Sequence, residues 1–287
     1  MRLKWIPFTR LSMGLINQID VSVKRMLLED SRKELFFKVL YLFVLIKLWL
    51  SWSTLELIIE FVPARVYSLV GLVLHAPLQL LNFGVGAFVV VFSLILLISI
   101  VVHLNYISAF LIFWFSVCLS KFLFPVLNGA DLVLNLFLLI GLVTPTFPVL
   151  KLRGITEYQK VISAFGVLFV KVEIALIYFL SGYDKLITPS WRNGNAIFSV
   201  ANLDYFSNPN FSMQLSGISV LVVAWLVILF EISFAFFIWF KKFRNYWLIA
   251  GVVFHLGIIV FMGLLDFGLV MIISYLIFLP AKKLDSN

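Results

Sequence analysis

Long apolar runs separated by short polar segments dominate the chain. A membrane-spanning helix needs about 20 mostly apolar residues, and eight runs approach or exceed that length. They cover residues 35–57, 84–102, 104–124, 129–145, 158–183, 215–240, 245–264 and 265–280. The runs lack the alternating pattern of outer-membrane barrel strands, and in hydrocarbon a helix pairs its own backbone polar groups. The pattern predicts an all-α polytopic membrane protein with about eight transmembrane helices.

Two boundaries between these runs are short. Only the sequence HLNY at 103–106 separates the second run from the third, and LLDFG at 264–268 separates the last two. Each pair is therefore either a tight helical hairpin or one bent element.

Composition supports the membrane assignment. The chain is 63% hydrophobic and only 13% charged, whereas soluble domains are about half apolar and a quarter charged. The net charge of +8 fits the enrichment of Lys and Arg in cytoplasmic loops. With no glycine-rich phosphate loop or basic-aromatic stripe, the expected partner is the lipid bilayer and not a nucleic acid.

The basic residues also predict a topology. They concentrate in the N-terminal segment, in the connections after the fourth and sixth runs, and in the tail. In an eight-span arrangement these segments share one side, which the positive-inside rule makes cytoplasmic. The prediction is a multi-pass protein of the inner (plasma) membrane with both termini in the cytoplasm.

Three regions follow from this topology. Residues 1–34 form an interfacial amphipathic helix or a solvated cytoplasmic segment, since apolar and basic positions alternate there at roughly helical spacing. Residues 35–281 form the transmembrane domain, and residues 282–287 a cytoplasmic tail.

A metal site and a disulfide are not expected. His75, His103 and His255 lie in different segments without the spacing of paired ligands. Cys118 is the single cysteine and is expected to be a small buried apolar residue.

Polar residues inside the spans are candidates for function because ionisable groups are costly at membrane depth. Lys47 lies deep in the first span, and Glu173 or Glu231 is the expected ion-pair partner. Asn128, Asp131 and Asn135 share one helix face, being spaced i, i+3 and i+7. They either cap their helix and bond to neighbouring helices, or line a site.

The fifth span carries a polar stripe. Glu173, Ile177, Ser181 and Lys185 follow one another in steps of four, so they drift slowly around one helix face and could line a cavity that opens outward. In the seventh span, His255 is a single polar residue in an apolar run. It either bonds to a neighbouring helix, or handles a proton or ligand.

Lys185 lies where the fifth span gives way to the polar sequence SGYDKLITPSWRNG. Burial disfavours an ammonium ion, and a neutral lysine can act as a general base or nucleophile. The alternative is a simple ion pair with the adjacent Asp184. Trp191 either anchors the chain at the headgroups or stacks on a planar ligand.

Three blocks resemble the horizontally transferred transmembrane (HTTM) domain of vitamin K-dependent gamma-carboxylases, over roughly residues 62–279. They are NGADLVLNLFLLIGLVTP, IALIYFLSGYDKLITPSWRNGNAI and the run from FEISFAFF to ISYLIFL. The most specific part is the S-G-x-x-K-L…W-x-x-G core, from Ser181 to Gly194.

The resemblance implies a role for Lys185 as the base that is activated during oxygenation of a reduced quinone of the vitamin K type. This chain has Asp184 where the animal enzymes have a second lysine, and a carboxylate there would tend to keep the amine protonated. The chain also ends at Asn287, where the carboxylases continue into a lumenal domain, so propeptide-directed carboxylation is not expected. In size it resembles the short bacterial sporulation-delaying-protein B-like group, which is associated with maturation of secreted peptide toxins.

The predicted function is a quinone-dependent or peptide-maturing membrane enzyme with an outward-facing pocket built from the fourth, fifth and later spans. Lys185 is the catalytic candidate, and a reduced quinone is the expected cofactor. The alternative is a non-enzymatic membrane subunit of a peptide export, secretion or immunity complex, whose partner is a small secreted peptide or a membrane protein. Sparse polar residues in the inner half disfavour a transporter. The substrate-binding candidates are Asn128, Asp131, Asn135, Glu173, Tyr178, Asp184, Trp191, Arg192 and His255.

Overall fold

The described part of the chain is helical. The computed structural model describes residues 30–61, 76–102, 105–123, 128–144, 155–203, 208–211 and 215–279. Its α-helices are α1 (Asp30–Leu50), α2 (Trp52–Phe61), α3 (Val85–Val101), α4 (Tyr106–Phe122), α5 (Gly129–Gly141), α6 (Ile155–Ile187), α7 (Pro189–Arg192), α8 (Asn195–Asn202), α9 (Ile218–Phe237), α10 (Lys241–Met262) and α11 (Leu265–Ser274). Two 3₁₀ helices cover Ala76–Phe83 and Tyr275–Phe278. This confirms the all-α class; most of the predicted N-terminal segment and the predicted tail lie outside the described residues.

All eight predicted apolar runs contain helix, but they differ in length. Within the described ranges, three helices are long and apolar enough to cross a membrane: Val161–Ile187 within α6, and the whole of α9 and α10. Helices α1 and α2 meet at a bend of 55° and together make a fourth candidate if the pair is one broken span. Helices α3, α4 and α5 and the segment Leu265–Phe278 are apolar but shorter. Eight crossings and a cytoplasmic location for both termini therefore stay predictions.

The two short boundaries separate distinct helices. Helix α10 ends at Met262 and is capped by Gly263, whose φ of +68° is the left-handed conformation that glycine adopts without strain, and α11 begins at Leu265. Helix α4 begins after Asn105, whose Oδ1 accepts a hydrogen bond from the Ser108 backbone N–H at 2.9 Å. Such caps satisfy backbone groups that would otherwise be unpaired at a helix end.

The bundle is apolar both inside and outside. Aromatic and aliphatic side chains of α1, including Phe36, Phe37 and Tyr41, form one continuous core with residues of α3, α5 and α11. Many outward-facing residues are equally apolar, for example Leu50 and Ile218. An apolar exterior suits helices that face lipid. Lipid tails are as apolar as the core, so moving an apolar side chain from lipid into the core brings no hydrophobic gain.

The predicted partners of Lys47 are wrong. Its Nζ lies 2.7 Å from Asp131 Oδ1 and 2.9 Å from Asp266 Oδ2, not beside Glu173 or Glu231. The exposed fractions are 7% for Lys47, 9% for Asp131 and 31% for Asp266. The reason is packing: α1 lies against α3 and α11, which brings Lys47 to the first turn of α11 and to the start of α5.

The polar residues on one face at the start of α5 cap that helix and bond to α4. Asn128 accepts a hydrogen bond from the Ala130 N–H and donates its backbone N–H to Asp131, as part of a capping box. One turn further on, the Asn135 side chain bonds to Ser116 and Ser120 of α4, both at 2.8 Å. These contacts match the first of the two alternatives, in which the three residues cap their helix and bond to a neighbouring helix.

Candidate functional site

A cavity of about 320 Å³ lies among α6 to α11. Its volume is near the lower end of the range for small-molecule pockets, so it suits a single ring or side chain. The lining is mostly aliphatic and aromatic, with polar side chains in two groups. The lining side chains are Ile177, Tyr178, Ser181, Lys185, Trp191, Ile197, Val200, Val227, Glu231, Phe254, His255, Ile258, Met262, Leu264, Phe267 and Met271.

The first polar group is an ion pair between α6 and α9. Lys185 Nζ lies 2.8 Å from Glu231 Oε2 and 3.0 Å from Oε1. It also donates to Ser181 Oγ at 2.5 Å, and that hydroxyl is 3.3 Å from Glu231 Oε1. The exposed fraction is 16% for Lys185 and 6% for Glu231, so the pair is largely withdrawn from the surface. The Trp191 ring centroid lies 5.0 Å from the ammonium, a cation–π distance.

Local sequence explains why these groups meet. Ser181 and Lys185 are four residues apart and therefore neighbours on one helix face. Gly182 lets α6 and α9 approach closely, since an added Cβ would lie 2.8 Å from Ile232 Cγ1 and 3.0 Å from Glu231 Cβ. The close approach brings Glu231 within reach of Lys185.

The second polar group is a buried phenol–imidazole network. The Tyr178 hydroxyl lies 2.6 Å from His255 Nε2 and also contacts the Tyr275 hydroxyl. His255 is 1% exposed, and its Nδ1 has no hydrogen-bond partner among the described residues. Gly251 makes room for Tyr275, because a Cβ there would lie 2.7 Å from the phenol Cζ.

The hydrogen bonds of this network can be donated in either of two directions. If Tyr178 donates to Nε2, then Nδ1 of a neutral His255 carries the proton and is a donor. If Nε2–H donates to Tyr178, the phenol donates to Tyr275 and Nδ1 becomes an acceptor. The unpaired Nδ1 is therefore a donor in one arrangement and an acceptor in the other.

The two polar groups are separated along α6. Tyr178 and Lys185 are seven residues apart, about 10 Å along the helix axis. Apolar lining residues such as Ile177, Phe254 and Phe267 also face the cavity. A bound molecule would meet a charged pair at one end and neutral hydrogen-bonding groups at the other.

The structure brings only some of the sequence-predicted residues to this cavity. Lys185, Tyr178, Trp191 and His255 line it. The other six do not: Asn128, Asp131, Asn135, Glu173, Asp184 and Arg192.

The alternative ion pair between Lys185 and the adjacent Asp184 is not formed; Lys185 pairs with Glu231 instead. Consecutive residues on a helix point in different directions, and Asp184 is exposed. Glu231 is a lone acid in an apolar run, and the sequence offered it as a partner of Lys47; only packing assigns it to Lys185. Tyr275 carried no comparable signal.

The fourth predicted span contributes indirectly. Helix α5 supplies no lining residue, although Gly129 lies close to Phe267, with a virtual Cβ 3.5 Å from that ring. In the described part of the chain, no three His, Cys, Asp or Glu side chains are grouped to hold a metal ion.

The replacement Tyr178→Phe tests the buried network. It removes the bridging hydroxyl and leaves the ring, which stacks on Phe234 at 4.0 Å. We expect a loss of about 1–3 kcal/mol in the free energy of unfolding, because buried partners lose their hydrogen bond. The measurement is thermal unfolding in detergent micelles. Tyr183→Phe, an exposed position on the same helix, is the control; equal stability of the two variants would contradict the network.

Comparison with known proteins gives one partial similarity. No model of a known protein family matches the chain, and no solved structure matches it. A stretch of 127 residues is 28% identical to the sporulation-delaying protein SdpB of Bacillus subtilis (strain 168). The match covers 42% of this chain and 39% of that protein. It supports a relation to the sporulation-delaying-protein B-like group, while the HTTM resemblance stays a prediction.

Proposed function

We propose that this chain is a multi-pass protein of a bacterial inner membrane that acts in maturation of a small secreted peptide. The cavity lined by Lys185 and Glu231 would hold the reacting group. The partial similarity to SdpB and the three apolar helices support the setting. The observation that carries the proposal is a largely buried Lys–Glu pair, with contacts of 2.8 and 3.0 Å, facing a mostly apolar cavity.

The pair offers a route to a neutral amine. A proton can pass from Lys185 Nζ to Glu231 along their hydrogen bond, which leaves an uncharged amine and an uncharged acid. That transfer would remove two charges from an apolar setting, where buried ions are costly. The amine can then take a proton from a substrate or attack a carbonyl carbon, while Ser181 holds its position.

A reduced quinone is the cofactor proposed for this site. The chemistry of the lining fits a ring with oxygens: aromatic and aliphatic walls lie between two groups of polar atoms, and His255 Nδ1 is free to pair. Lys185 and His255 are the residues that would bind the oxygens. When bound, such a group would supply two electrons and two protons.

The outward orientation of the cavity is part of the proposal. The concentration of Lys and Arg in the other connections supports placing the turn after α6 on the outer side. A cavity there would be open to a peptide that has already crossed the membrane.

Lys185→Met tests the proposal. It keeps most of the length of the side chain but removes its amine, so we expect at least a 100-fold loss of the mature peptide, the lower end of what a general base contributes. The mature product is first identified by mass spectrometry as a secreted peptide that disappears from a deletion strain. Lys38→Met is the control, because Lys38 pairs with Glu34 on its own helix at 2.9 Å and is partly exposed. A wild-type amount of mature peptide, with the Lys185→Met protein present at its normal level, would contradict the proposal.

The second candidate function is a non-enzymatic subunit of a peptide export or immunity complex. It is favoured by the number of contacts that Lys185 makes, since an ammonium held by Glu231 and Ser181 can be purely structural. The double variant Lys185→Met/Glu231→Met distinguishes the two functions. A structural pair can be replaced by apolar residues with little loss, so a subunit would keep its function, whereas an enzyme would not.

A further inference from the structure

A second, open cavity lies on the side of the bundle between α6 and the C-terminal end of α9. It is an apolar groove of about 480 Å³. The small residues Ala175 and Ala235 leave space along it, and the larger Leu176, Phe236 and Phe240, about half exposed, border it. Its shape and chemistry suit a hydrocarbon chain.

A molecule in the groove needs no polar group to pair with the lining. The Trp239 indole N–H beside it donates to the Ala235 carbonyl at 2.9 Å. An acyl chain gains little when it moves from surrounding lipid to another apolar surface. The groove alone therefore would not select one lipid from another, and selection requires a charged group.

Positive charge begins where the groove ends. Phe240 is a groove residue and the N-cap of α10, and Lys241 and Lys242 follow it as exposed side chains. Neither lysine has an ion-pair partner among the described residues, although Lys242 lies 5.7 Å from the Phe243 ring centroid. Nearby Arg244 is already engaged by the carbonyls of Ile238 and Phe278 at 3.1 and 3.4 Å.

The two lysines are unfavourable for the helix that carries them. The N-terminal end of a helix bears partial positive charge, so cations in the first turn are destabilising. The first turn of α10 has no acidic residue. An anionic group bound there would offset this repulsion.

We propose that the groove and the two lysines bind one anionic phospholipid, with an acyl chain in the groove and the phosphate at Lys241 and Lys242. The topology predicted from the charge asymmetry has this end on the cytoplasmic side, and anionic lipids of that leaflet attract basic residues next to a span. The site is separate from the Lys185 cavity and independent of the peptide proposal.

Lipid retention tests this site. The full chain is purified from mixed bilayers of phosphatidylglycerol and phosphatidylcholine, and its retained lipids are weighed by native mass spectrometry. We expect one phosphatidylglycerol to be retained in preference to phosphatidylcholine. Lys241→Gln/Lys242→Gln should reduce that preference about 25-fold, since each lysine near a membrane surface contributes about a fivefold preference. Lys121→Gln, an exposed lysine at the end of α4, should leave it unchanged.

A groove-filling variant separates the acyl chain from the headgroup. Ala235→Leu should lower retention of both lipids, because its larger side chain occupies the groove. Inorganic phosphate, added to protein in phosphatidylcholine alone, should not raise the unfolding temperature as phosphatidylglycerol does. An unchanged lipid preference in the double lysine variant, or equal stabilisation by phosphate, would overturn the proposal.

Discussion

Replacing Lys47 with methionine is expected to destabilise the protein by about 3–5 kcal/mol, the usual result of removing one partner from a buried ion pair. Lys47 holds Asp131 at 2.7 Å and Asp266 at 2.9 Å. Without the ammonium, two carboxylates face each other in a largely buried setting. Their repulsion acts between α5 and the first turn of α11, so the contacts among α1, α5 and α11 should weaken together.

The measurement is unfolding in detergent micelles, with Lys38→Met as the control. Lys38 lies on the same helix, and its pair with Glu34 is a partly exposed i,i+4 contact, which contributes only about 0.3–0.5 kcal/mol. Adding Asp131→Asn and Asp266→Asn to Lys47→Met should restore part of the lost stability by removing the like charges. Similar small losses for Lys47→Met and Lys38→Met would contradict the buried charge cluster.

Gly182→Ala is expected to have the next largest effect on stability. One methyl group would lie 2.9 Å from the Ile232 backbone nitrogen and 3.0 Å from Glu231 Cβ. Backbone atoms cannot move aside as a flexible side chain can, so α6 and α9 must separate. We expect a loss of about 3 kcal/mol, at the upper end for overpacking, and a parallel loss of peptide maturation because Glu231 moves away from Lys185.

Gly257→Ala is the matched control for this substitution. Gly257 lies inside a helix as Gly182 does, but its virtual Cβ meets only Phe261 Cδ2, at 4.0 Å. Alanine is a better helix former than glycine, so this variant should be as stable as the wild type or up to about 1 kcal/mol more stable. Thermal unfolding of both variants decides the matter. Equal behaviour would show that the close approach at Gly182 is unimportant.

The site illustrates what spacing along one helix can and cannot predict. The steps of four that place Ser181 next to Lys185 follow from helix geometry, and those two side chains are in contact. The same stripe also included Glu173, which is absent from the cavity lining. A face that drifts slowly around the helix leaves the cavity after a few turns, and where it leaves depends on the neighbouring helices.

The class of protein follows from the amino-acid pattern alone. Apolar runs of spanning length and few charges predict helices, because hydrocarbon leaves backbone groups no other partner. Caps at Asn105 and Asn128 and the break near Gly263 are also local, since each depends on a few consecutive residues. Lys185 stood out as a polar group at an apolar boundary.

Helix packing determines which polar groups meet. Lys185 pairs with Glu231, 46 residues away, and Lys47 pairs with Asp131 and Asp266 on two other helices. Such pairings depend on how each helix is rotated and which helix lies beside it. In a chain whose lipid-facing side is as apolar as its core, the hydrophobic pattern does not record that rotation. The few buried charges and the close contacts at glycine do depend on how each helix is rotated, and they act only once the helices are packed.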